Sequence, residues 1–322
     1  MRTNGIAASF FCTILAASSA LAQTVGIGSS NPGSITHSIS SALAKVMVEK
    51  LGLQARVQPH SGQSSFVPAV NAGEEDFGVA NAGEFHDGIT GTGIYTGQKL
   101  SNLRAVAVLM PIKVAFFVPK NSPIKTMQDL KGKRFPGGWT SQKTVDLTVR
   151  GLLANANMSY ADVKVVPVPN VVRGADDFIQ GKVDTFYFAL GAGKVREAAS
   201  KVGGLRALAA DPSPEAVARI RKDQPVAYVM LAKPSPANFG IDGPTHVVAF
   251  DFVLLTNAKQ SEDRIYELTK ALRGAKKSFI ASFKPLGFNF DPNGMAKVLP
   301  GGEYHPGAIK YFKEIGAWPP KN

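Results

Sequence analysis

The sequence predicts an α/β fold of two lobes that face each other across a cleft. Three observations lead there. Short apolar runs alternate with stretches whose apolar residues recur at helical spacing, the signature of a parallel sheet covered by helices. The alternation starts again after residue 134, giving a second unit of the same kind. In both units the loops that lead from a strand into a helix are rich in Ser, Gly, Asn and Gln, and open α/β sheets bind ligands at such strand ends.

Each element can be read in turn. Residues 25–28 (VGIG) form a short strand. The loop SSNPGS (29–34) leads to a helix with Ile35, Ile39, Leu43, Val46 and Met47 on one face. Residues 54–58 are the second strand. Ser61–Ser64 then open a helix carrying Phe66, Val67 and Val70, with Pro68 in its first turns. Residues 77–80 are the third strand and 103–110 the fourth, while 114–118 (VAFFV) begin another segment. The run 124–134 reads as a short helix, a glycine stop and the start of a strand.

In the second unit the loop GGWTSQ (137–142) precedes a helix over 144–154. A strand follows at 163–168, a helix at 175–180, a strand at 183–188 and a helix at 192–200. A weak strand at 205–209 and a helix at 215–221 come next. Pro and Gly cluster over 233–244. Residues 247–255 (VVAFDFVLL) read as a long apolar strand and 262–283 as one long amphipathic helix. Short helices near 292–298 and 306–316 complete the chain. The implied division is residues 23–115 with 249–322 in the first lobe and 116–248 in the second.

Residues 1–22 read as an export signal. Arg2 is the charged start, residues 5–17 the apolar stretch, and Ala20-Leu21-Ala22 the cleavage site. A periplasmic destination follows. Cys12, the single cysteine, lies in that signal, so the mature chain has no disulfide, thiolate metal site or cysteine nucleophile. A net charge of +12 suits an anionic solute or an anionic membrane surface. The basic residues are scattered, with no run longer than KGKR (131–134), which argues against nucleic acid.

Candidate ligand contacts sit at strand ends. Ser29, Ser30 and Ser34 flank a helix start, whose free amides and dipole favour an anion; Ser34 or Thr36 can equally serve as its cap. His60-Ser61-Gly62-Gln63-Ser64 repeats the arrangement after the second strand, offering Ser61 and Gln63. Asn81 follows the third strand. In the second unit, Trp139, Thr140, Ser141 and Gln142 occupy the matching loop. Trp139 either covers an apolar part of a ligand or packs between lobes. Phe188 and Leu190 end another strand and serve as ligand contact or core. Arg173 and Arg104 are the basic residues nearest strand ends, able to grip a carboxylate or to remain solvated.

Catalytic patterns are missing. None of His37, His60, His86, His246 and His305 forms H-x-x-x-H or H-E-x-x-H, and G-x-S-x-G and G-x-x-x-x-G-K-[S/T] do not occur. Gly26 and Gly28 begin a dinucleotide fingerprint, but Asn31 stands at its third glycine. No enzyme activity, cofactor or metal is expected, and the default state is a monomer.

The segments VGIGSSNPGS, SGQSSFVPAVNAGEEDFGVAN (61–81), IKTMQDLKGKRF (124–135), QGKVDTFYFALG (180–191) and YHPGAIKYFKEIGAW (304–318) resemble the TAXI family of solute receptors, which serve tripartite ATP-independent periplasmic (TRAP) transporters. The resemblance implies a type II periplasmic binding protein of the Venus flytrap kind, with a cleft between Rossmann-like lobes. It also implies no catalysis, a glutamate- or dicarboxylate-like solute, and delivery to TRAP membrane subunits driven by an ion gradient. It would place cleft contacts on Ser29, Ser30, Ser61, Gln63, Asn81, Thr140 and Ser141. Thr36-His37 stands where family members often carry a Tyr pair, and Trp139 interrupts a loop that is usually Gly and Ser rich. Trp139 points to an aromatic acid as the other solute class; an ATP-binding-cassette (ABC) importer or a sensor kinase is the alternative partner, and a periplasmic hydrolase the less favoured alternative function.

Overall fold

The computed structural model describes residues 24–320; the expected export signal lies outside them. Ten strands and eleven helices are present among the described residues. The chain opens with β1 (Thr24–Ser29), α1 (Ile35–Leu51), β2 (Gln54–Pro59), α2 (Gln63–Ala72), β3 (Phe77–Asn81) and α3 (Ala82–Thr90). The spacing in α1 buries Ile35, Ile39, Leu43, Val46 and Met47. Ser34 caps that helix by accepting the His37 N–H, and left-handed Gly52 ends it.

A long strand, β4 (Leu103–Pro119), follows. Then come β5 (Arg134–Gly138), α4 (Lys143–Asn155), β6 (Lys164–Val168), α5 (Val171–Ile179), β7 (Phe186–Ala189), α6 (Gly193–Val202), β8 (Leu205–Ala207), α7 (Pro214–Arg221) and β9 (Tyr228–Ala232). The second long strand, β10 (Thr245–Asn257), precedes α8 (Glu262–Arg273), α9 (Lys276–Ser282), α10 (Lys284–Asn289) and α11 (Pro306–Glu314).

The architecture is an α/β fold of two halves joined by two long strands. Eight strands form one sheet, in the order β2-β1-β3-β10-β4-β7, with β8 added on β4 and β9 on β10. The long strands β4 and β10 run antiparallel through its middle. At one end, which we call the first half, β3 pairs with Phe252–Thr256 of β10, and β1 and β2 continue outward in parallel. At the other end, the second half, β7 and β8 pair with Val114–Pro119 of β4 and β9 with Thr245–Ala249 of β10. The register between β4 and β10 shifts at Phe252/Val253 and again at Leu254/Leu255. Bulges of this kind bend and twist a ladder.

Several expectations need correction. Residues 103–110 and 114–118 belong to one strand that continues through Pro111. The sheet is mixed rather than wholly parallel, because β10 returns antiparallel to both β3 and β4. The second unit does not own a full sheet: β5 and β6 form a separate parallel pair, and β7 joins β4. The long helix over 262–283 is broken at Gly274 into α8 and α9. No helix covers 292–298. Instead α10 lies earlier, with Pro285 at its start, where a proline costs no hydrogen bond. The helix α3 and the strand β9 were not anticipated. No helix among the described residues is long and apolar enough to cross a membrane.

Candidate functional site

The first turns of several helices converge on a cavity beside the β4–β10 ladder. It measures about 60 Å³, room for a few water molecules. From the first half, Ser30, Ser34, Ile35 and Thr36 reach it from the start of α1, Gln63 from α2 and Asn81 from the end of β3. From the second half come Gln142, Thr144, Val145 and Thr148 of the α4 start, Val171 of α5, and Tyr187, Phe188 and Ala189 of β7. The floor is Ile112 and Val114 of β4 with Phe250 and Phe252 of β10. No Lys, Arg, His, Asp or Glu lines it.

The polar side has a defined wiring. Gln63 Oε1 accepts from the Asn81 backbone N–H at 2.9 Å and from Asn81 Nδ2 at 2.8 Å, while Asn81 Oδ1 caps α3 through the Glu84 N–H at 2.8 Å. Thr36 Oγ1 accepts the Ser30 N–H at 3.3 Å and lies 3.1 Å from Ser34 Oγ. Gln142 Oε1 accepts the Val171 N–H at 2.8 Å, tying α4 to α5. The Ser30 side chain is 2% exposed and the Gln142 side chain 8%. Among the described residues, no protein group bonds the Ser30 hydroxyl or the Gln142 side-chain NH2. Both residues line the cavity, so these two groups are available to a bound molecule.

The helix starts also differ in kind. Own side chains cap α1, α3 and α5 (Ser34, Asn81, Asn170), whereas none caps α2 or α4. Those two open starts meet. A methyl on Gly62 would come within 2.5 Å of the Ser141 carbonyl and into the Gln142 side chain. Further contacts cross the same seam. Ser64 Oγ lies 3.4 Å from Thr144 Oγ1, Thr144 Oγ1 hydrogen-bonds Glu84 Oε2, and Gln224 Nε2 donates to Thr148 at 3.0 Å beside Gly83. The arrangement is closed.

Of the sequence candidates, Ser30, Ser34, Gln63, Asn81, Gln142 and Phe188 come together on the cavity. The others do not reach it. Ser29 is buried one residue behind, donating to the Ser30 carbonyl and lying 3.2 Å from His37 Nδ1. Burial lowers the pKa of His37, so that ring favours its neutral form. Ser61 is exposed and bonds Ser65. Trp139 is fully buried with a positive φ of 40°; its Nε1–H donates to Tyr160 at 2.9 Å and its ring meets Tyr187 edge-on. Thr140 is exposed and Ser141 half-buried. Leu190 is buried in the core and its N–H bonds the Lys113 carbonyl. Arg173 is exposed and pairs with Asp177 on its own helix, and Arg104 pairs with Glu303. An arginine clamp on the cavity is therefore absent among the described residues.

Sequence reasoning missed the floor and the α4 face. Ile112 and Val114, and likewise Phe250 and Phe252, are alternate residues of single strands. Their period of two would have marked a shared face had β4 been read as continuous. Thr144, Val145 and Thr148 form one helical stripe just beyond the loop that was singled out.

Comparison with known proteins supports the fold. One similar solved structure is described as that of a periplasmic transporter. It shares 17% identity with a TM-score of 0.58, and the alignment covers 91% of this chain and 92% of that one. Another is the alkanesulfonate-binding protein SsuA from Xanthomonas axonopodis pv. citri bound to MOPS, with 14% identity, a TM-score of 0.52, and coverage of 91% and 90%. Both are named for binding or transport, not catalysis. A sequence model of the NMT1-like family matches residues 27–316. That match corrects the expected TAXI membership. The chain belongs to the NMT1-like family.

Proposed function

We propose that the protein is an extracytoplasmic solute-binding protein that captures a small monoanionic solute, a carboxylate on an apolar or aromatic body, and delivers it to a membrane importer. The observation that carries this reading is that the Ser30 hydroxyl and the Gln142 side-chain NH2 line the cavity and make no hydrogen bond to the protein, on a wall that also includes the uncapped starts of α2 and α4. Amide donors and helix dipoles favour a negative group there. The opposite wall of Ile112, Val114, Phe250 and Phe252 favours an apolar body. An α-ammonium finds no carboxylate on the lining, which disfavours amino acids. The lobes we assign are residues 23–115 with 249–322 and residues 116–248, hinged where β4 and β10 cross. The partner we assign is an ABC-type importer, in place of TRAP subunits.

A thermal-shift screen tests the solute class, because a ligand that binds only the native state raises the melting temperature by mass action. Benzoate and phenylacetate should raise it, and glucose should not. A shift with neutral sugars alone would remove the anion from the proposal. Uptake into membrane vesicles from the source cells, supplied with this protein, should require ATP; uptake driven by an ion gradient alone would rule out the ABC partner.

A further inference from the structure

A carboxyl group lies sealed in the seam between the two halves, outside the cavity lining. Glu84 is in the first turn of α3 and is fully buried. Its Oε1 accepts the Tyr95 hydroxyl at 2.5 Å, from the same half of the molecule. Its Oε2 bonds Thr144 Oγ1, which belongs to α4 of the other half and also lines the cavity. The Ser64 hydroxyl lies 3.4 Å from Thr144 Oγ1 and also acts on the carboxyl. Thus one wall of the solute cavity is held by a carboxyl across the closing surface.

The surroundings supply no cation. On α3 itself, Asp87 adds negative charge, and half-buried His86 bonds the Pro300 carbonyl. The packed faces of α2 and β3 carry no titratable residue. On α4, Lys143 is exposed and Asp146 is held by Tyr160 and Arg150. On β4, Arg104 pairs with Glu303 and Lys113 donates to Asn238 and Asn289; on β10, Asp251 pairs with Lys297.

We propose that Glu84 is a positioning residue whose carboxyl takes up a proton when the cleft shuts, so that solute capture and proton capture are coupled. The inference rests on the reading of the fold as two lobes that open and close. Opening would carry Thr144 away with α4 and admit water to the carboxyl. In the closed arrangement, burial raises the Glu84 pKa to about 8; Asp87 adds to the rise, and the Tyr95 and Ser64 hydroxyls oppose it. In an open cleft the carboxyl returns towards its ordinary value near 4.5. A group whose pKa is higher in the closed state favours that state at low pH. The advantage is complete below the open-state value, falls as pH rises, and is gone above about 8.

Spin labels on Val48→Cys and Val165→Cys, exposed positions of the two halves, report closure by their separation. Cys12 is the only native cysteine and falls in the expected signal. Distances are recorded from pH 5 to pH 9, without solute and with sodium phenylacetate as probe. The closed population should grow as pH falls, and the apparent phenylacetate Kd should rise by up to about tenfold per pH unit between pH 5 and pH 8. Glu84→Gln should abolish both trends. Thr144→Val, which keeps the carboxyl but removes its partner across the seam, should move the midpoint. Closure that ignores pH, a Glu84→Gln protein that keeps the dependence, or an unmoved Thr144→Val midpoint overturns the assignment. If phenylacetate has no effect while probe-free closure still follows pH, the solute class fails and the Glu84 assignment stands.

Discussion

The two rims of the cavity are built from the same strand–loop–helix unit, yet they present different parts of it. On the first rim the residues at the strand end and the helix start face the cavity: Ser30, Ser34, Gln63 and Asn81. On the second, the loop turns inward at Trp139, and the cavity is met only at Gln142 and then by the α4 face. The indole fills the core of the second half and is satisfied by Tyr160, which in turn donates to Asp146 at 3.0 Å. A loop that buries its bulkiest residue supports the wall from behind, while a loop of small polar residues can itself be the wall.

This contrast can be broken by substitution. Trp139→Ala should have the largest effect, lowering unfolding free energy by about 3–5 kcal/mol because it empties a packed core site. Urea denaturation measures it, and a loss below about 1 kcal/mol would show that the second loop is not a packing element. Gly62→Ala should come next. Its methyl would strike the Ser141 carbonyl and hold the rims apart, with a cost of about 1–3 kcal/mol confined to closing and therefore to affinity. Calorimetric titration with an active solute should show weakening with little change in unfolding; unchanged affinity would mean that the rims need not touch. Ser30→Ala should weaken binding by about 1 kcal/mol, a net hydrogen bond, while Ser61→Ala should leave it alone. Equal losses in both would erase the distinction between lining and exposed serines. Arg173→Ala should change affinity and stability by at most about 0.5 kcal/mol, since the Arg173 side chain is exposed and Asp177 keeps Lys182 as a partner. A large affinity loss there would restore an arginine clamp.

The first rim was legible because its information is local. Ser34 and Asn81 cap helices within three residues of themselves, and Gln63 binds Asn81 only one helix away. The two-lobed fold could be read from repeated βαβ order for the same reason. The second rim depends on distant partners. Trp139 turns inward to Tyr160 and Tyr187, and neither contact is written in the GGWTSQ loop. Glu84 matters through Thr144, sixty residues away. The continuity of β4 was hidden by Pro111, which breaks most central strands but here sits beside the register shift with β10.

That shift has a mechanical consequence. The strands that carry the bend also furnish Ile112, Val114, Phe250 and Phe252 beneath the solute. On the proposed reading, the hinge and the surface that meets the solute are one piece of backbone. A bulkier or slimmer side chain at Phe252 would then retune which molecules fit and, in the same stroke, how stiffly the proposed hinge bends, so selectivity and compliance would change together.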